Sequence, residues 1–207
     1  MKRVRRIDRW NIFADHVSES MKKNDASHDF SHVLRVVRNV ENILKSENWP
    51  ADEVEAARIT ALAHELCDNK YVCDKEEAKG QLRNALSDAG LPAKTADVVA
   101  EVVPLLSFSR RLREGVPTFR SKKARKVYLV VSDADYLEAL GITGVIRTNV
   151  YQAVRQNSDA ATATQHIETV LYHCVDHLAH EWSKEEGARR LDVMKSAMEQ
   201  FKREQSI

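Results

Sequence analysis

Apolar residues recur along this chain at the three-and-four spacing of an amphipathic helix, and turn residues interrupt that rhythm at regular intervals. Trp10, Phe13, Val17 and Met21 predict a first helix with one buried stripe, ended by the polar segment KKNDAS. From about Asp29 a second helix buries Val33, Val36, Val37, Val40, Ile43 and Leu44. Pro50 opens a third, expected from about Ala51 to Asp68, with Val54, Ala57, Ala61, Leu62 and Leu66 inward. Asp74 begins a fourth helix that Gly90 ends, and Pro92 starts a fifth that Pro104 closes.

Between Ser107 and about Lys126 the pattern breaks, and Gly115 with Pro117 marks the longest expected loop, the best candidate for a lid. The following VYLVVSDADYLEALG has a strand-like start, yet Val127, Val130, Val131, Ala134 and Leu137 fit a helix ending at Gly141. Two or three more helices fill the chain to about Glu204, one of them expected to start at Ser183 with Glu186 completing a capping box. The expected architecture is all-α in a single domain, residues 1–207, with helices of about 160–204 packed on a core of about 24–150. With only 6 Gly, 4 Pro and 6% aromatics, the composition agrees.

Charge excludes more than it suggests. A formal net charge of +1 gives no overall field for polyanions or membranes, so any attraction to phosphate must be local. The basic start MKRVRRIDRW leads into no apolar signal segment, and Cys67, Cys73 and Cys174 lack the spacing of a disulfide framework. The expected location is the cytoplasm, with no membrane association.

Histidine and carboxylate recur at three separated places, each beside an apolar run: His28, Asp29 and His32; His64, Glu65 and Asp68; Asp133 and Asp135. Buried ionisable groups are costly unless paired or metal-bound, so three such clusters entering one helical core suggest a shared polar site. A single histidine at a helix end is more often a cap, which is the plain alternative for each cluster alone.

In order, SHDFSHVLRV, ALAHELCDNKY, SFS and DADYLEALGITGVIR resemble the motifs of HD-superfamily metal-dependent phosphohydrolases, in the branch with bacterial-type nucleoside triphosphate pyrophosphohydrolases. The resemblance implies an HD-domain helical bundle with additional C-terminal helices, and a divalent metal ion on His32, His64, Glu65 and Asp135. Mn²⁺ suits a phosphate substrate, with Mg²⁺, Co²⁺, Ni²⁺, Fe²⁺ and Zn²⁺ as alternatives. One departure stands out: the family has His-Asp where this chain has His64-Glu65. The added methylene displaces the carboxylate by roughly 1.3–1.5 Å, large against ligand distances of about 2.0–2.2 Å.

The resemblance assigns Asp68 as general acid or base, and on a continuing helix it would share a face with His64. Lys70 would stabilise charge on the transferred phosphoryl group, and Asp133 would orient His28 or a neighbouring group. His28, Ser107, Ser109, Arg110 and Arg147 would bind substrate phosphate. Arg111, Arg113, Arg120, Lys122 and Lys123 extend the basic stretch, but without interleaved aromatics nucleic acid is not the expected partner. His173, His177 and His180 are expected along one helix, with His173 and His177 at an i, i+4 spacing able to hold zinc, but a pair supplies too few ligands and reads as structural or surface. The family carries Glu and Lys where Asp176 and His177 stand here.

The activity implied is hydrolysis of (deoxy)nucleoside triphosphates to monophosphate and pyrophosphate. The alternatives are a nucleoside monophosphate phosphatase, or a degenerate HD domain that binds nucleotide or a partner without turnover. Expected partners are a nucleotide or another phosphorylated small molecule, and a homodimer is allowed.

Overall fold

A computed structural model describes residues 6–68 and 70–205; the basic start of the chain, residues 1–5, lies outside the described residues. Among the described residues there are ten α-helices and no strand: α1 Arg6–Ser20, α2 Phe30–Lys45, α3 Ala51–Ala63, α4 Lys75–Asp88, α5 Ala93–Val102, α6 Phe108–Glu114, α7 Lys122–Glu138, α8 Gly141–Arg155, α9 Ala160–Thr169 and α10 Glu181–Gln205. Short 3₁₀ turns follow α5 (Val103–Leu105) and α9 (Leu171–His177). None of these helices is long and apolar enough to cross a membrane. The architecture is the all-α one that the apolar periodicity predicts.

Side-chain caps set several helix starts. Asp29, Asp74, Ser121 and Asp159 accept backbone N–H bonds from the first turns of α2, α4, α7 and α9. Gly90, at φ +67°, ends the stretch after α4 in the left-handed conformation that suits glycine.

Helix α7 joins two cores. Its first half, with Val127, Tyr128, Val130, Val131 and Ala134, packs with α2, α3 and α5 in the larger apolar cluster. Its last turns contribute Tyr136 and Leu137 to a second cluster with Ile167, Leu171, Cys174, Met194 and Met198 from the C-terminal segments. Burial on nearly all sides explains why the β-branched run VYLVV forms a helix: the apolar surface is needed all round, and tertiary packing outweighs a weak strand preference.

Four expectations require correction. Helix α3 ends at Ala63, five residues early, and the chain continues through tight turns in which Leu66 N–H bonds Ala63 C=O at 2.9 Å and Asp68 N–H bonds Glu65 C=O at 3.2 Å. The tighter winding aims residues 64–68 differently from a continuing α-helix, so the shared helical face of His64 and Asp68 does not exist. The basic stretch is mostly helical, because Ser107 caps α6 and Ser121 caps α7, leaving only residues 115–121 outside helices. Ser183 is not a cap: α10 begins at Glu181 and Ser183 is buried within it, while Glu186 pairs with Arg189 and Arg190. His173 and His177 lie in a 3₁₀ turn, whose winding removes the i, i+4 alignment of an α-helix.

The α7–α8 corner depends on one missing side chain. A Cβ at Gly144 would stand 2.1 Å from the Ala139 carbonyl oxygen, which is backbone and cannot swing aside. We expect Gly144→Ala to cost at least about 1–3 kcal/mol. A thermal melt should show a drop of about 2–4 °C per kcal/mol for a chain of this size, whereas alanine at the solvent-facing Gly80, with no atom within 4 Å of its added Cβ, should not lower the midpoint.

Candidate metal centre

Three segments bring histidine and carboxylate together. His32 lies in the first turn of α2, placed by the Asp29 cap whose carboxylate accepts His32 N–H at 3.0 Å. His64 and Glu65 turn inward just after α3, and Asp135 projects from the last turn of α7. His32, His64 and Glu65 are buried and Asp135 is half-buried.

Their donor atoms converge. His32 Nε2 lies 3.2 Å from His64 Nε2, and 3.4 Å from both Glu65 Oε1 and Asp135 Oδ1. His64 Nε2 lies 3.4 Å from Glu65 Oε1 and 3.9 Å from Asp135 Oδ1. Ligands about 2.0–2.2 Å from one cation stand about 3–3.6 Å from one another in tetrahedral or octahedral arrangements. The spacing here is of that size, and His32, His64 and Asp135 form a cluster able to hold a metal ion.

Proton placement agrees with that capacity. His64 Nδ1 lies 2.7 Å from the Ala61 carbonyl oxygen, which can only accept, so Nδ1 carries the hydrogen and Nε2 faces the centre as a lone pair. Two imidazole nitrogens at 3.2 Å cannot both present lone pairs unless a proton or a cation lies between them. A proton on His32 is one solution: burial opposes it, but Asp135, Glu138 and Glu65 outweigh burial and raise its pKa to about 9. Conversely, burial works to raise the pKa values of Glu65 and Asp135, yet the imidazoles hold both carboxyls well below the usual range. Glu65 Oε2 is buried with no hydrogen-bond partner among the described residues, an acceptor suited to a cation. The longer side chain of Glu65 thus remains within reach of the centre, because the turn after α3 sets its origin.

Beside these groups runs a second polar chain. Tyr71 O–H donates to Asp25 at 2.7 Å, Ser27 donates from its hydroxyl and its backbone N–H to the other Asp25 oxygen, and Arg155 approaches Asp25 at 3.4 Å. With the Ser27 hydrogen directed to Asp25, Ser27 Oγ accepts from His28 Nδ1 at 2.6 Å. His28 Nε2 is then left to accept from the Lys70 ammonium at 3.1 Å. Burial lowers the His28 pKa to about 3, the Lys70 and Arg147 cations adding to it against the opposing pull of Glu65. His28 is therefore neutral and oriented. Lys70 also lies 3.8 Å from Asp68 and caps it through its backbone N–H at 2.8 Å.

Asp68, Ser107, Ser109 and Arg110 line one cleft of about 320 Å³, while Glu65 and Lys70 face an adjacent one of about 480 Å³. Burial raises the Asp68 pKa above its ordinary value. Ser107 caps α6, and Arg110 pairs with Glu114 at 2.8 Å. Arg147 donates from Nε to the Ser27 carbonyl at 2.6 Å and from Nη1 to the Glu138 carbonyl at 3.2 Å, clamping the entry to α2 against the end of α7.

The basic stretch is not a free cationic patch. Arg111 is buried, donating to the His177 carbonyl at 2.8 Å between Tyr128 and Tyr136, and Lys123 pairs with Asp52 at 2.6 Å. Asp133 does not touch His28. Fully buried, it accepts from the backbone N–H groups of Ala179 and His180 at 2.9–3.0 Å and pairs with His180 Nδ1 at 2.9 Å. Its position two residues from Asp135 directs it to the opposite side of α7, toward the segment entering α10.

Glu138, overlooked in the sequence, is a further part of the site. Its buried carboxylate takes Arg35 Nε at 2.6 Å, approaches Arg190 at 3.5 Å, and lies 3.9 Å from His32 Nδ1. Its place three residues after Asp135, on one face of α7, is the signal that identifies it.

No family model matches the chain. It is 23% identical over 211 residues to YpgQ of Bacillus subtilis, covering 99% of this chain and 94% of that one. A crystal structure of YpgQ in complex with ADP is similar with a TM-score of 0.71 at 22% identity, covering 92% of this chain and 97% of that one. A structure from Lactobacillus plantarum gives 0.75 at 19% identity, with 96% and 97% covered. An HD-superfamily hydrolase from Bacillus thuringiensis gives 0.71 at 19% identity, with 96% and 98% covered. The chain shares its all-helical fold with these structures.

Because Asp133 gathers three N–H donors from the C-terminal segment, Asp133→Ala should leave them without an acceptor. The expected loss is about 2–4 kcal/mol, read by denaturant unfolding with faster proteolysis near residues 171–181. An unchanged unfolding midpoint would contradict this docking role.

Proposed function

We propose that this protein is a metal-dependent phosphohydrolase that cleaves (deoxy)nucleoside triphosphates to monophosphate and pyrophosphate. The observation carrying the reading is the convergence of two imidazoles and two carboxylates at 3.2–3.9 Å beside the clefts lined by Asp68 and Lys70. The fold shared with an HD-superfamily hydrolase agrees with it, and ADP bound to the similar YpgQ supports a nucleotide as ligand.

In this reading His32, His64, Glu65 and Asp135 hold one divalent ion, Mn²⁺ by preference for a phosphate substrate. When bound, that ion polarises a phosphoryl oxygen and lowers the pKa of water. Asp68, whose poorly solvated carboxylate favours taking up a proton, orients the attacking water and accepts its proton. Lys70, held between His28 and Asp68, supplies positive charge to the phosphoryl oxygens as charge develops there. Ser107, Ser109 and Arg110 receive the remaining phosphates, with Arg110 exchanging Glu114 for substrate. His28 keeps Lys70 in place, and Arg147 acts by fixing the backbone on either side of the site. We place the protein in the cytoplasm, where its free Cys67, Cys73 and Cys174 would remain reduced.

A nucleotide panel with added Mn²⁺ and product identification tests this. Pyrophosphate release is expected, with Asp68→Ala lowering kcat by about 10²–10⁴ while metal content is retained. Release of inorganic phosphate from monophosphates alone would select the phosphatase reading, and full activity in Asp68→Ala would remove that residue from the chemistry.

A further inference from the structure

Behind the metal centre, between α2, α8 and α10, lies a cavity of about 500 Å³ that the proposed reaction does not use. Four guanidinium groups, Arg35, Arg38, Arg189 and Arg190, line it against only two carboxylates, Glu138 and Glu186. Those carboxylates satisfy three of the four: Arg35 binds Glu138 at 2.6 Å, Arg189 binds Glu186 at 2.7 Å, and Arg190 binds Glu186 at 2.7 Å. Arg38 is exposed and makes no hydrogen bond or ion pair among the described residues. The wall therefore carries excess positive charge in a concave setting, which concentrates anions.

The uncharged lining is mixed, with Asn39, Asn42 and Thr143 beside Leu140, Ile142, Trp182 and Val193. Ile142 and Val193 are 47% and 43% exposed, and Trp182 stands half-buried beside them. The first turn of the fifteen-residue α8, at Gly141–Thr143, also faces the cavity, and its N-cap Leu140 has no side-chain oxygen to satisfy the N–H groups there. Arginines on one side and aliphatic and indole surface on the other match a molecule with a phosphate at one end and an apolar or aromatic body at the other.

We propose that this cavity is a second binding site, separate from the metal centre, for a phosphate ester with an apolar or aromatic body. Arg38 and Arg189 meet the phosphate, and Trp182, Ile142 and Val193 cover the body. Glu138 forms part of the wall shared with the metal centre, 3.9 Å from His32 Nδ1.

The test is an amide NMR titration of the full chain with phenyl phosphate and, separately, inorganic phosphate, each against chloride at matched ionic strength. The largest saturating shifts with phenyl phosphate are expected at Ile142, Thr143 and the Trp182 indole, with inorganic phosphate binding at least threefold more weakly. Combining Arg38→Gln with Arg189→Gln should weaken phenyl phosphate at least tenfold while the rest of the spectrum remains folded, and Lys70→Gln should leave the affinity unchanged. Shifts confined to the surroundings of His28 and Lys70, or an arginine double variant that binds as well as the parent, would overturn the site. Equal affinity for the two anions would overturn the ester and leave only free phosphate as its ligand.

Discussion

Two imidazole nitrogens and two carboxylate oxygens at 3.2–3.9 Å form a polar knot where α2, the turn after α3, and α7 meet. Leaving such groups uncompensated in a largely dehydrated core would cost several kcal/mol for each ion. Either a shared proton or a cation must balance them, and the lone pair that His64 directs inward suits the cation. The remainder of the fold holds three chain segments at a separation that this balance permits. Apolar packing of α2, α3 and α7 fixes the helices, and the Asp29 cap together with the turns after Ala63 fixes the side chains within them.

Helix α7 distributes this constraint through the molecule. On one side Asp135 joins the polar knot, Glu138 joins His32 to the arginines of α2 and α10, and on the other Asp133 seizes the backbone entering α10. Three carboxylates within six residues thus perform three different tasks, separated by the 100° rotation per residue of the helix. The C-terminal helices are tied to the polar knot through these contacts as well as through the second apolar cluster. Arg147 adds a fourth tie, from α8 back to Ser27 and the end of α7.

Much of this was legible in the sequence because helical periodicity is a local signal. The apolar stripes, prolines and caps locate α1, α2, α4, α5 and α7, and the ordered His and Asp motifs identify the residues that converge. Side-chain partners were less legible because they depend on distant segments. Nothing local shows that Arg111 lies between Tyr128 and Tyr136, that Asp133 reaches residues 179–180, or that Ser183 is buried inside α10. The end of α3 escapes the local pattern for a different reason. Leu66 and Cys67 continue the apolar pattern while the backbone has already tightened, and that tightening brings Glu65 back within 3.4 Å of both imidazoles. The added methylene, which looks disruptive in isolation, is accommodated by the local backbone.

In the proposed function these four side chains hold a single divalent ion. Calorimetric titration of chelator-treated protein with Mn²⁺, checked by elemental analysis, measures this directly. One ion per chain is expected, with loss of binding in His64→Ala and weakening of at least about tenfold in Glu65→Gln, the size of effect seen when a metal site is perturbed. Stoichiometric binding that persists unchanged in both variants, or no binding to the parent protein, would contradict it.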